Sequence, residues 1–303
     1  VIPSEQILPR VALDAGAGST SFDRRFEGEQ VIGAAIRSLL VDTVPMAVFV
    51  HAEEGSILAS RPDATDVVGL QRAMERSGIA VDEWAILRGE RPVADPGQPV
   101  AWIVVPPLRR TELTPVPAEQ RLIDAARSLL VAGEPVLLSV NPSRLPQFRQ
   151  VEPWARLLDG IGVASDASRV LLEATPITAG EFAVAASISL DRSGGEHPLS
   201  GVLDGQRLTL PVPVPLIAAE SAAESAADEG DGRDPGDATA TADAVEVVVA
   251  VPPAAGRWLE ADWGSGRLPT APPAGAGLPG PTPLVVAMQR PHPAGADAAA
   301  AVT

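Results

Sequence analysis

Apolar positions along the first half of the chain alternate between two rhythms. In Glu29–Leu40 (EQVIGAAIRSLL), Val31, Ile32, Ala35, Ile36, Leu39 and Leu40 recur at helical spacing and predict an amphipathic helix. After Pro45, Met46–Val50 (MAVFV) is continuously apolar, as a strand buried on both faces must be. Asp66–Ser77 predicts the next helix, with Val67, Leu70 and Met74 inward and Gly78 as its stop. Trp84–Leu87 reads as a short strand, and Ala101–Val105 (AWIVV) as a buried one closed by Pro106 and Pro107. Ala118–Val131 predicts a long helix. Pro115 and Pro117 suit its first turn, Glu119 complements its N-terminal dipole, and Gly133 ends it. Val136–Val140 (VLLSV) is a third buried strand, and a short helix at Pro153–Leu158 leads through Gly160 and Gly162 to a strand at Val170–Glu173. Apolar strands alternating with helices predict an α/β domain from Phe26 to about residue 175. Its mostly parallel, flavodoxin-like sheet would be covered by helices on both faces, with right-handed connections.

The period changes after residue 175. Phe182, Val184, Ala186, Ile188 and Leu190 alternate with small residues, as a half-buried strand does. Leu208, Leu210, Val212, Val214 and Leu216 alternate too, but Pro211, Pro213 and Pro215 occupy the other face, which restricts the segment to a sheet edge or an extended cover. Val245–Val251 and Leu284–Met288 predict two further strands. The chain therefore divides into a lead-in (1–25), the α/β domain (26–175), a β-rich continuation (176–217), an acidic insertion (218–243) and a second β-rich continuation (244–303). The insertion holds Glu220, Glu224, Asp228, Glu229, Asp231, Asp234, Asp237 and Asp243 against Arg233. Its lack of large apolar residues predicts a disordered, solvated segment.

Composition narrows the chemistry. The net charge is −16, with 23 basic residues against 39 acids, so a nucleic-acid backbone or an anionic membrane surface is disfavoured as a partner. Every basic residue other than histidine is arginine, which excludes Schiff-base and P-loop lysine chemistry. Cysteine is absent, so disulfides, thiolate nucleophiles and cysteine-ligated metals are excluded. No cofactor and no metal site is predicted. No apolar run is long enough to span a bilayer. Val1 at the start and the close near Ala298–Thr303 predict a piece excised from a longer protein.

The most suggestive polar cluster is His51-Ala52-Glu53-Glu54-Gly55, directly after the strand Met46–Val50. Open α/β sheets bind ligands beyond the carboxyl ends of their strands, so His51, Glu53 and Glu54 are candidate ligand contacts. The competing interpretation is a solvated polar loop, and a general base, an acid pair or a partial metal site is the third. His197, in Gly194-Gly195-Glu196-His197-Pro198, suits a structural turn, and His292 lies between prolines without partners in sequence. Trp258 and Trp263, in RWLEADW, are candidates for stacking on sugar rings beside carboxylates, or for anchoring an irregular segment in a core. No Gly-x-Gly-x-x-Gly opening a helix, P-loop, His-Glu-x-x-His or nucleophile elbow is present, and no catalytic residue is assigned.

Landmarks in order carry a family resemblance: Phe26-Glu27-Gly28-Glu29, Met46–Val50, Ala101-Trp102 through Pro107, Leu113-Thr114-Pro115, Gly133-Glu134-Pro135, Pro153-Trp154, His197-Pro198-Leu199, Trp258 through Asp262, and Gly280 through Ala287. Over roughly residues 26–290 the chain resembles the GldG-like auxiliary proteins of bacterial ABC transporters. Their soluble domain is similar to that of intraflagellar-transport proteins. The resemblance implies a non-enzymatic, extracytoplasmic accessory or scaffolding domain of an ABC-type transport or gliding-associated complex. Its partners would be the permease and ATPase subunits, reached through membrane helices outside this segment, and its relatives are thought to bind polysaccharide. Where such relatives often carry a Gly-His-Gly-Glu-like loop, this chain has His51-Ala52-Glu53-Glu54-Gly55. Two other functions stand beside this one: a carbohydrate-binding module, and a degenerate hydrolase or amidotransferase-like enzyme using His51 and Glu53.

Overall fold

The computed structural model describes residues 10–13, 21–24, 33, 43–59, 67–107, 116–178, 181–190, 192–195, 197–203, 208–218, 244–254, 256–261, 263, 268–275 and 277–289. The predicted helix at 29–40 (apart from Gly33, which is helical), the acidic insertion (apart from Ala218) and His292 lie outside the described residues. The chain divides into two compact units: Val1–Arg109 with Pro117–Ser139, and Arg110–Val116 with Val140–Thr303.

The first unit opens with an antiparallel pair, β1 (Arg10–Leu13) and β2 (Ser21–Arg24). It continues with β3 (Met46–His51), α1 (Val68–Arg76), β4 (Ala80–Ala85), β5 (Val100–Val104), α2 (Pro117–Val131) and β6 (Val136–Leu138). The last four strands form one parallel sheet in the order β4-β3-β5-β6, an α/β arrangement. The run MAVFV occupies the middle of this sheet, and Ala47, Val48, Phe49 and Val50 are all buried. On α2, Leu122, Ile123, Ala126 and Leu129 are buried, as their helical spacing predicts. The strand near Trp84 begins earlier than the apolar pattern suggested, at Ala80. Asp82 and Glu83 interrupt the apolar run, yet an edge strand tolerates such residues.

Register sorts the side chains of the sheet. Val48 stands opposite Trp102 and Val50 opposite Trp84, so both indoles share a face with the two valines. The rings meet edge-to-face across β3, with centroids 5.9 Å apart. The Arg91 guanidinium lies 4.4 Å from the centre of the Trp102 ring and pairs with Glu134, which also accepts the Trp102 indole N–H at 3.3 Å. This cluster pins the β4–β5 connection to the sheet.

The second unit holds a 3₁₀ turn (Leu145–Phe148), α3 (Pro153–Asp159), β7 (Val163–Ser165), β8 (Val170–Thr178), β9 (Glu181–Ala185) and β10 (Ser187–Leu190). It continues with α4 (Pro198–Leu203), β11 (Leu208–Pro211), β12 (Leu216–Ala218), β13 (Ala244–Val251), β14 (Arg257–Glu260) and β15 (Thr282–Gln289). Among the described residues its pairings are all antiparallel: β14-β8-β9, β10-β11, β12-β7 and β13-β15. The strand at Val170 therefore does not join the parallel sheet, contrary to the sequence expectation. Only Ala179 and Gly180 separate β8 from β9, and so short a link closes only an antiparallel hairpin. The proline-rich segment behaves as its residues require. Among the described residues β11 pairs on one side alone, and the Pro213 and Pro215 carbonyls accept N–H bonds from Leu171 (3.0 Å) and Asp166 (3.2 Å).

Candidate functional site

His51 is the last residue of β3, where its backbone is tied to β4: its carbonyl accepts the Ile86 N–H at 3.1 Å. The preceding Val50 carbonyl accepts from Val105, just past β5, at 2.9 Å. Phe49 stands opposite Glu83, so the two-residue period puts His51 and Glu83 on the same face of the sheet. The imidazole is completely buried. Its Nδ1 accepts the backbone N–H of Glu53 at 3.2 Å, so in the neutral ring the proton sits on Nε2. That nitrogen lies 3.6 Å from Glu83 Oε2, beyond hydrogen-bond distance.

Glu83 organises the loop on its other side. Its Oε2 accepts the Ser56 hydroxyl at 2.9 Å and the Ile57 N–H at 3.1 Å, and Ser56 Oγ in turn accepts the Leu58 N–H at 3.2 Å. Ile57 is fully buried beneath the loop. Residues 52–58 thus hang from two polar side chains of the sheet, with Glu53 partly exposed and Glu54 exposed.

Burial of the ring pushes the His51 pKa below the usual 6.5, while the negative charges of Glu83 and then Glu53 pull the other way without overcoming it. The sign for stability follows. As pH falls below 6.5 the unfolded chain takes up this proton before the folded one does. The contribution of His51 is fully present above that pH and is lost progressively below it. Urea titrations over a pH series are expected to show the parallel-sheet unit weakening below pH 6.5, with a slope from this group of at most about 1.4 kcal/mol per pH unit. His51→Asn is expected to remove that part of the slope.

The two tryptophans singled out in the sequence belong to the second unit. Trp258, on β14, is only 4% exposed and packs with Val170, Leu172, Ala174, Phe182 and Val184, its indole N–H donating to Glu260 at 3.1 Å. Trp263 is half-buried at the edge of the same cluster and donates to the Ser168 carbonyl at 3.0 Å. Near it an open depression of about 410 Å³ is lined by Pro146, Gln147, Ser168 and Ala261. Both rings are engaged in packing, the second of the two roles their sequence context suggested. His197 caps α4, its Nδ1 accepting the Leu199 N–H at 3.1 Å.

The structure therefore brings His51 and Glu53 together through the Glu53 backbone. It adds Glu83 and Ser56, which sequence reasoning missed. Glu83 was visible only as an acid just before the strand-like segment Trp84–Leu87, because the register that faces it to His51 is a tertiary fact. Among the described residues no group of three or more His, Asp or Glu side chains could hold a metal ion, and no helix is long and apolar enough to cross a membrane. Comparison of the chain with protein-family models, with curated proteins and with solved structures found no match.

Proposed function

We propose that the chain is a non-enzymatic, extracytoplasmic accessory domain of an ABC-type transport or gliding-associated membrane complex, and that it meets its partner at the carboxyl edge of the parallel sheet. The observation that carries the binding part of this reading is the state of His51. A ring that is wholly enclosed, with Nδ1 occupied by a backbone N–H, is built to shape a loop rather than to exchange protons with a substrate. The loop it shapes presents Glu53 and Glu54 outward.

Topology supports the location. Numbered within the sheet, the strand order is 2-1-3-4, the beginning of the flavodoxin-like doubly wound order. Right-handed crossovers from β3 to β4 and from β5 to β6 run in opposite directions along the sheet, which would put α1 and α2 on opposite faces. The switch point of such a sheet lies between β3 and β5, beside the His51 loop. Commitment of Trp258 to a core favours a protein partner over a polysaccharide as the first ligand to test.

Purification of the tagged parent protein from its own membranes in mild detergent is expected to enrich a permease and an ATPase subunit. Glu53→Arg combined with Glu54→Arg is expected to reduce that enrichment without changing the amount of protein in the membrane. Absence of both subunits, or turnover of a glycoside or amide library by the purified protein, would overturn the proposal.

A further inference from the structure

We propose that residues 52–58 form an acid-released latch on the carboxyl edge of the parallel sheet, held closed by the neutral ring of His51. Both anchors of the loop pass through the His51–Glu83 pair. The Glu53 N–H bonds Nδ1 at 3.2 Å, and the Ser56 hydroxyl and Ile57 N–H bond Glu83 Oε2 at 2.9 and 3.1 Å. The remaining ring nitrogen, Nε2, is buried without a hydrogen-bond partner. Its 3.6 Å gap to Oε2 is too long for a direct bond and too short to admit a bridging water.

Protonation cannot leave this arrangement intact. Nε2 already carries the hydrogen of the neutral ring, so a solvent proton can add only at Nδ1. There it meets the Glu53 N–H, donor against donor, and that anchor breaks. The new positive charge draws Nε2–H towards Glu83 Oε2, to a charge-assisted distance of about 2.8 Å, in competition with Ser56 and Ile57 for the same oxygen. Among the described residues, the charged groups facing the ring are Glu83 from β4 and Glu53 from the loop itself, and both favour the protonated form. Burial opposes it. The loop thus has one arrangement for each protonation state of a single ring. This is the loop proposed above to meet a partner, but the latch rests on hydrogen-bond geometry and is tested without one.

Amide hydrogen exchange of the full chain, corrected for the intrinsic pH dependence, reads the latch directly. Between about pH 7.5 and about pH 5, protection at Glu53 and Ile57 is expected to fall about tenfold, each amide losing its bond to a side-chain acceptor, beyond any loss at Val48 in β3, which follows the stability of the whole unit. His51→Asn keeps an acceptor near the Nδ1 position and cannot titrate, so it is expected to hold protection at both pH values. Glu83→Gln retains an acceptor for Ser56 and Ile57 but removes charge that favours the protonated ring, so release is expected to shift to lower pH. Unchanged wild-type protection, or an equal loss in His51→Asn, would overturn the latch. Nitrogen shifts of the ring give a check that needs no variant. The Nε2–H tautomer at pH about 7.5 is the expected result, and the Nδ1–H tautomer would also overturn it.

Discussion

Gly195→Ala is expected to cost about 4 kcal/mol or more, at the upper end of single-substitution effects. A β-carbon at this position would lie 2.3 Å from the Val247 carbonyl oxygen and 2.4 Å from that of Val248. Both obstacles are backbone, so no side chain can rotate away to relieve them. The approach is close because β13 carries a register shift between Val247 and Val249, and the turn before α4 packs into it. Val248 offers its carbonyl to the Ser200 hydroxyl at 2.7 Å, the Ala250 N–H donates to the Ser193 carbonyl at 2.7 Å, and Gly194 bridges to Val249. An added methyl must either break that set of bonds or push β13 away from a core containing Leu171, Ile188, Val249 and Val251. Gly201, in α4, has open space around its Cα, so Gly201→Ala is expected to be neutral or to stabilise by about 0.5 kcal/mol. Thermal denaturation followed by circular dichroism compares the two. Equal melting temperatures would show that the turn yields to the methyl group.

Trp258→Ala is expected to destabilise the β-rich unit by about 3–5 kcal/mol, the usual range for emptying a buried aromatic site. The side chain is opposite Leu172 in the β14–β8 ladder and fills the space between Val170, Ala174, Phe182 and Val184. Its loss also leaves Glu260 without the indole donor. The neighbouring Trp263 is only half-buried, so Trp263→Ala is expected to cost about 1–2 kcal/mol. Urea titration of the variants measures both losses. Unchanged stability in Trp258→Ala together with a lost glycan-array signal would return this ring to the role of a sugar platform.

The elements most legible in the sequence were those whose local signals agreed. Met46–Val50 and Ala101–Val105 read as buried strands because they are apolar at every position, and both lie in the parallel sheet. The helix at 118–131 combined spacing, prolines and an acidic first turn, and it forms at Pro117–Val131. Gly78 and Gly133 marked stops, and each adopts the left-handed conformation that ends a helix without strain. The strand at Arg257–Glu260 was missed because two of its four residues are charged, a pattern that fits a loop as well. Arg257 and Glu173 face each other across the ladder and pair at 2.7 Å, so the charges answer each other only after β14 finds β8. The candidate site was half legible. His51 stood out by its place after a strand, and Glu53 by adjacency, whereas Glu83 and Ser56 reach the ring through strand register and loop closure.

By itself, the sequence determined which segments are apolar enough to become strands, where helices start and stop, and which chemistries its composition excludes. Those properties depend on neighbours within a few residues, and local propensity, periodicity and glycine or proline placement decide them. Tertiary structure alone decided which strands pair, and in which direction. It put the strand at Val170 into an antiparallel hairpin rather than the parallel sheet, and turned Trp258 into a core residue. It also enclosed His51 against Glu83, 32 positions along the chain. Pairing and burial depend on surfaces that exist only once distant segments have met, so the residues that would sense protons or meet a partner emerge with the fold.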